Sequence, residues 1–154
     1  MEITQRRHNA TLTTSATLLN PSVLSRLQQP DFLLTLNPAS VSRTKTTAAS
    51  SPRTEVYTLI YRIALPFGYE TSTTCTAHIT PTASGVVAEV EAGAGWMTTK
   101  TRSSWSVGEG GEVTEVFEVL SVPWVLAWFV WRTAERSHRE LFQRLEERMR
   151  EERG

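Results

Sequence analysis

Between residues 55 and 122 apolar and polar positions alternate with a period of two, and from Pro123 onward the period lengthens to that of a helix. The first regime predicts strands. Glu55 to Leu65 sets Tyr57, Leu59, Tyr61, Ile63 and Leu65 on one face, the candidate buried face, against Val56, Thr58, Ile60, Arg62 and Ala64. Pro66-Phe67-Gly68 breaks the run. Thr71 to Thr80 resumes it, with Cys75, Ala77 and Ile79 opposite Thr74, Thr76 and His78, so His78 is expected to look outward. After a turn at Pro81 to Gly85, Val86, Ala88, Val90 and Ala92 make an inner face of small residues, leaving room for a helix or a ligand. Gly93-Ala94-Gly95 permits a sharp bend. Trp96 to Val107 then carries Met97, Thr99, Thr101, Ser103, Trp105 and Val107 on one face, Gly108-Glu109-Gly110-Gly111 connects, and Glu112 to Val122 is the last strand.

The second regime predicts one long closing helix. Pro123 suits a first helical position, where its missing N–H leaves no partner wanting. At about 100° per residue, Trp124, Ala127, Trp128, Trp131, Ala134, Leu141, Phe142, Leu145 and Met149 share one side, and Arg132, Arg136, Arg139, Gln143, Glu147 and Arg150 the other. Val125, Leu126 and Phe129 make the first two turns apolar all round, so these are expected to be enclosed. Glu135–Arg139 and Glu140–Arg144 are i,i+4 pairs that support the helix locally.

Upstream, residues 3–16 are Thr-rich and read as a first strand. Asn20-Pro21 opens a short helix over Val23, Leu24 and Leu27 that Pro30 ends; Asp31 caps a second, which Asn37-Pro38 stops. Val41 to Thr47 begins the strands, and Ser50-Ser51-Pro52-Arg53 turns.

Composition narrows the classes. A chain of 154 residues is the size of one domain, residues 1–154. Sixteen basic residues balance sixteen acidic ones, which argues against a nucleic-acid partner. The apolar run Val119 to Trp131 contains Pro123 and falls short of the about 20 residues a bilayer span needs, so no transmembrane segment is expected. One cysteine, Cys75, and no apolar leader make a cytoplasmic location the expectation. His8, His78, His138 and Cys75 show no metal-ligand spacing, and the glycines of 108–111 lack a phosphate-loop lysine, so neither metal nor cofactor is expected.

Strand, two short helices, six strands and a long C-terminal helix, with Leu36-Asn37-Pro38 closing the elbow and Pro123 opening the last helix, together resemble the helix-grip fold of the START-like (SRPBCC) superfamily, in a small fungal-type branch. The resemblance implies an α+β fold in which a curved antiparallel sheet of about seven strands wraps the long helix, with a cavity between them for an apolar small molecule. That ligand is the partner it implies; oligomeric state is left open.

Within such a fold His138 falls among Ala134, Leu141, Phe142 and Leu145, where an imidazole is placed for acid–base work; the alternative is an edge histidine hydrogen-bonded to the sheet. Tyr57 and Tyr61 share a face and can orient a bound carbonyl, or be amphipathic core residues. Glu115 and Glu118 face opposite sides of the last strand, so at most one points inward. Thr99, Thr101 and Ser103 give an inner face a polar lining that suits a ligand or water better than a dry core. Trp105, Trp128 and Trp131 offer flat walls, and all three of Trp128, Trp131 and His138 are expected to face the sheet. Two classes follow: a cofactor-free cyclase, with pericyclase-like, lyase or isomerase chemistry on a polyketide- or terpenoid-type substrate of secondary metabolism, with His138, Tyr57 and Tyr61 as catalytic candidates; or a passive carrier of lipids or metabolites. A protein-interaction module built on the Trp-rich block is a third.

Overall fold

The computed structural model describes residues 1–37, 39–46, 53–64, 66–93 and 95–153. Among these residues eight antiparallel strands form one open sheet: β1 (Thr4–His8), β2 (Thr11–Thr17), β3 (Ser40–Thr46), β4 (Glu55–Ala64), β5 (Glu70–Pro81), β6 (Gly85–Ala92), β7 (Thr99–Val107) and β8 (Glu112–Ser121), in the order β1-β2-β8-β7-β6-β5-β4-β3. Helices α1 (Val23–Leu27) and α2 (Pro30–Leu36) join β2 to β3, and α3 (Ala127–Arg153) closes the chain. The α+β architecture follows the sequence expectation, with eight strands in place of about seven. The extra strand comes from residues 3–16, which fold as a hairpin: Asn9 takes a left-handed φ of 51°, a conformation its short polar side chain tolerates, and His8 pairs with Thr11 across the turn.

Other boundaries move for similar reasons. Pro30 opens α2 and does not merely end α1, since its fixed φ suits a first helical turn, and Asp31 lies in that turn where the helix dipole favours an anion. Asn20 folds back locally, its Oδ1 accepting from the Ser22 N–H at 3.0 Å, while its Nδ2 donates to the Met149 carbonyl at 3.2 Å and pins the elbow to the end of α3. Gly93, at φ 92°, turns the chain into a short 3₁₀ segment at Gly95–Met97, so Trp96 and Met97 leave the β7 strand. Pro123 stands before, and not within, a 3₁₀ turn at Trp124–Leu126. The expectations placed on Pro38, on 47–52, on Leu65 and on Ala94 fall outside the described residues.

The core sits between the sheet and the helices. Val23, Leu27, Leu33, Leu34 and Leu36 from the elbow pack with Phe142, Leu145 and Met149 of α3 against Leu59, Cys75, Ala77, Ile79, Val86 and Trp105. A second cluster joins Leu12, Phe117, Trp131 and Ala134. Burial of these side chains is the main stabilising term, each large one contributing about 1.5–3 kcal/mol. The helix lies toward the β1–β2–β8 side: Gln5 Nε2 donates to the Glu135 carbonyl at 3.1 Å, Arg7 covers the Trp131 ring at 4.3 Å, and Arg139 donates to Gln5 Oε1 at 3.3 Å. The arginine face of α3 is exposed as the periodicity requires, but its i,i+4 ion pairs are Arg136–Glu140 and Glu146–Arg150, because Glu135 and Arg139 turn toward β1.

Candidate functional site

Register across the sheet stacks the inward side chains into rungs. One rung runs Gln5, Thr14, Glu115, Trp105, Val86; the next, Leu12, Phe117, Ser103, Ala88, Ile79, Glu55; the next, Val119, Thr101, Val90, Ala77, Tyr57; and above it Thr99, Ala92, Cys75, Leu59. Trp105 stacks on Phe142 of α3 with ring centroids 5.2 Å apart, which fixes Thr99, Thr101 and Ser103 on the same, helix-facing side of β7.

The inner side of β8 reads Val113, Glu115, Phe117, Val119, so a carboxylate stands in an apolar series. Glu115 is 1% exposed. Its partner is His138, whose Nδ1 shares a hydrogen bond with Glu115 Oε1. The imidazole is only 12% exposed at its side chain and lies 4.4 Å from the Phe117 ring, with Trp131 edge-on to the same phenyl group. Glu118, one position out of phase, faces the other side and meets Arg102 at 3.8 Å. Beside the pair, Thr14 is fully buried opposite Glu115, and Gln5 Nε2 donates to its hydroxyl at 3.2 Å. The sequence holds the signal for Glu115 in that alternation. Nothing local names His138 as its partner, because that contact spans two elements.

The other candidates divide. Thr99, Thr101, Ser103, Val90, Ala92 and Val119 form a contiguous inner surface that stays half-buried, above rungs that are closed by the elbow and α3. Tyr57 and Tyr61 lie on β4, four strands from β8 and so about 19 Å away from the Glu115–His138 pair at the usual strand spacing. Tyr57 donates to Glu55 Oε2 at 2.7 Å; burial, then this bond, raises its pKa, while the same bond and Lys45 at 3.0 Å hold Glu55 below its ordinary value. Burial raises Tyr61 as well, against a hydrogen bond from Asn37 that works in the other direction.

Trp131 is buried against the sheet, but Trp128 is 67% exposed with Arg132 above its ring, contrary to the expectation that it faces the sheet. Trp124 is 88% exposed and Trp96 76%, so the first apolar turns are not enclosed. For Trp124 the cause is geometric, since residues 124–126 wind as 3₁₀ helix, which breaks the 100° extrapolation; Trp128 lies in the first turn of α3, whose buried stripe begins only at Trp131. Two surface depressions occur elsewhere, one of about 270 Å³ lined by Thr54, His78, Thr80, Val87 and Glu89, and one of about 230 Å³ between Thr17–Asn20 and the end of α3. Among the described residues no helix is long and apolar enough to cross a membrane, and no group of three or more His, Cys, Asp or Glu is placed to hold a metal.

No family model matches the chain, and no curated protein matches it in sequence. Its likeness is structural. Protein Ms6760 from Mycobacterium smegmatis superposes with a TM-score of 0.58 at 14% identity, over 94% of this chain and 96% of that one. The di-domain ARO/CYC protein BexL, from the BE-7585A biosynthetic pathway, gives 0.56 at 13% identity over 89% of this chain. The fold is a helix grip. The match covers 48% of BexL, so this helix grip spans about half of that protein's length. TTHA0849 from Thermus thermophilus gives 0.56 at 13% identity over 90% of this helix grip and 96% of its own chain.

Proposed function

We propose that this helix grip binds an apolar small molecule along the inner face of β6, β7 and β8 beside α3, and acts on it as a cofactor-free cyclase on a polyketide- or terpenoid-type substrate. The observation that carries the reading is a half-buried, hydroxyl-bearing surface made by Thr99, Thr101 and Ser103, standing next to a buried carboxylate–imidazole pair. Hydroxyls facing a dry core without partners cost free energy, and facing a ligand they orient it. Trp105, stacked on Phe142, and Trp131, under Arg7, close the floor beneath this surface, and Trp128 stands exposed in the first turn of α3. His138 is the catalytic candidate; the Tyr57 hydroxyl is already committed to Glu55 on β4, four strands from β8. The ARO/CYC description of BexL supports the reading at the level of fold only.

Native mass spectrometry of freshly purified protein and titration with a neutral solvatochromic naphthalene dye test it. A co-purified apolar species or a blue-shifted, saturable dye signal is expected, and Thr101→Trp should abolish the signal while leaving the circular dichroism spectrum intact. No ligand and no dye uptake would overturn it. A carrier in place of an enzyme would show His138→Gln weakening binding as much as any turnover.

A second reading rests on Trp96 in the β6–β7 connection, Trp124 and Val125 in the β8–α3 connection, and Trp128 in the first turn of α3, all exposed. Such a patch serves protein association. Sedimentation of wild type against Trp124→Ser/Trp128→Ser decides it: self-association lost in the variant favours this reading, and identical monomers remove it.

A further inference from the structure

We infer that the aromatic tips at one end of the sheet, Phe67, Tyr69, Trp96, Trp124 and Trp128, form a docking face for the interfacial zone of a lipid bilayer. This goes beyond the small-molecule reading and stands without it, and it gives the exposed tryptophans a membrane in place of a protein partner. Each strand from β4 to β8 runs antiparallel to the next, so the β4–β5, β6–β7 and β8–α3 connections emerge at the same end. Every one of them brings an aromatic side chain to the surface. Phe67 is 96% exposed and Tyr69 69% on the first, Trp96 stands on the second, Trp124 with Val125 on the third, and Trp128 follows in the first turn of α3. The hairpin connections at the opposite end, Thr82-Ala83-Ser84 and Gly108-Glu109-Gly110-Gly111, carry no aromatic residue. Phe67 is the sharpest case. Its φ of 64° and ψ of 26° put a bulky residue in the left-handed region, which glycine and asparagine adopt readily and phenylalanine does not. A turn that only reversed the chain would be better served by either of those residues, and neither would expose a phenyl ring.

Charge selects the occupant. Residues 65–69, 93–98 and 122–131 contain no Asp, Glu, Lys or Arg. The first charges stand behind the tips: Arg62 and Glu70 3.8 Å apart, Lys100 and Glu91 3.6 Å apart, and Arg132, which lies 5.3 Å from the Trp128 ring and has no acidic partner among the described residues. Uncharged aromatic tips in front of a charged layer match the membrane–water interface, where Trp and Tyr settle at headgroup level and a guanidinium meets a phosphate. Separate wedges on three connections also suit a fluid surface that closes around each of them, whereas a protein partner would have to carry a matching relief. Two of the three cations are already paired. Binding therefore rests on apolar insertion and needs no anionic lipid.

Flotation of the full chain with vesicles of phosphatidylcholine alone tests the docking face. Wild type should float, and its partitioning should change by less than about threefold between about 0.1 M and about 0.5 M salt. Phosphatidylcholine brominated on its acyl chains should quench the exposed tryptophans and leave the emission of buried Trp105 and Trp131. Phe67→Asn, which keeps the left-handed turn, should lower partitioning about tenfold, and Trp96→Ser/Trp124→Ser by at least as much. Leu19→Ser, at an equally exposed apolar residue in the β2–α1 connection at the other end, should leave it within about twofold of wild type. Failure to float, flotation that needs anionic lipid and vanishes at about 0.5 M salt, absence of bromine quenching, or flotation unchanged in Phe67→Asn and in the double variant would each overturn the inference. So would a lipid-free oligomer, lost in Trp124→Ser/Trp128→Ser, that leaves no protein on the vesicles, since the tips would then serve protein association. None of these outcomes touches the small-molecule reading, which stands or falls on dye uptake.

Discussion

Glu115 and His138 illustrate how one buried polar pair can be costly in isolation and stable in company. Taking a carboxylate out of water is unfavourable by several kcal/mol after relaxation, and the imidazole returns much of this only while both are present. His138→Ala, which strands Glu115 in an apolar rung, is expected to lower stability by about 3–5 kcal/mol, and the double change Glu115→Leu/His138→Leu by less than either single change, as read from urea midpoints. Three further buried groups set an alkaline limit. Burial raises Tyr57 and Tyr61 above their ordinary 10.0 and pushes Cys75 from 9.0 to about 11. Above pH 9 the unfolded chain therefore releases protons that the native chain still holds, and stability falls with rising pH. Urea midpoints should drop between pH 9 and 11, and Tyr61→Phe with Cys75→Ala should flatten that slope. At this scale the sequence is legible where alternation is strict: Val113, Phe117 and Val119 mark Glu115 as inward. It is silent on what meets Glu115, since Nδ1 comes from a residue 23 positions away.

Elements were readable where a period persisted, and displaced where backbone chemistry intervened. The stripe from Trp131 to Met149 is buried along α3 as 3.6-residue periodicity requires, whereas Trp124 precedes the α-helical winding and was placed by extrapolating it. The first hairpin was hidden because Asn9-Ala10 carries no glycine, and Asn alone supplies the left-handed turn. Between β6 and β7 the backbones approach so closely at Gly85 that an added Cβ would overlap the Trp105 carbonyl. Gly85→Ala should therefore separate these strands where Trp105 meets Phe142, with loss of the cooperative thermal transition in calorimetry, while an alanine at Gly110, where a Cβ meets nothing within 4 Å, should leave the transition within about 1 kcal/mol of wild type.

At the scale of the molecule, order of elements alone pointed to the helix grip, because two short helices between the first strands and the rest, and one long helix at the end, leave few ways to bury both helix faces on one antiparallel sheet. The position of α3 over that sheet was not legible. It is set by Gln5, Arg7 and Arg139 on the β1 side, contacts between residues more than a hundred positions apart in each case. That offset leaves the upper inner faces of β6 and β7 half-covered and produces the candidate site.

Cys75 lies 1% exposed between Leu59 and Ala92, in the rung just above Tyr57. As the chain's sole thiol, shielded by burial and kept protonated at neutral pH, it can meet a disulfide reagent only when β4, β5 and β6 part from the elbow. Its labelling rate is thus a built-in clock for the opening of the sheet, readable in the unmodified protein, and any molecule that fills the surface beside Ala92 and Thr99 should slow it.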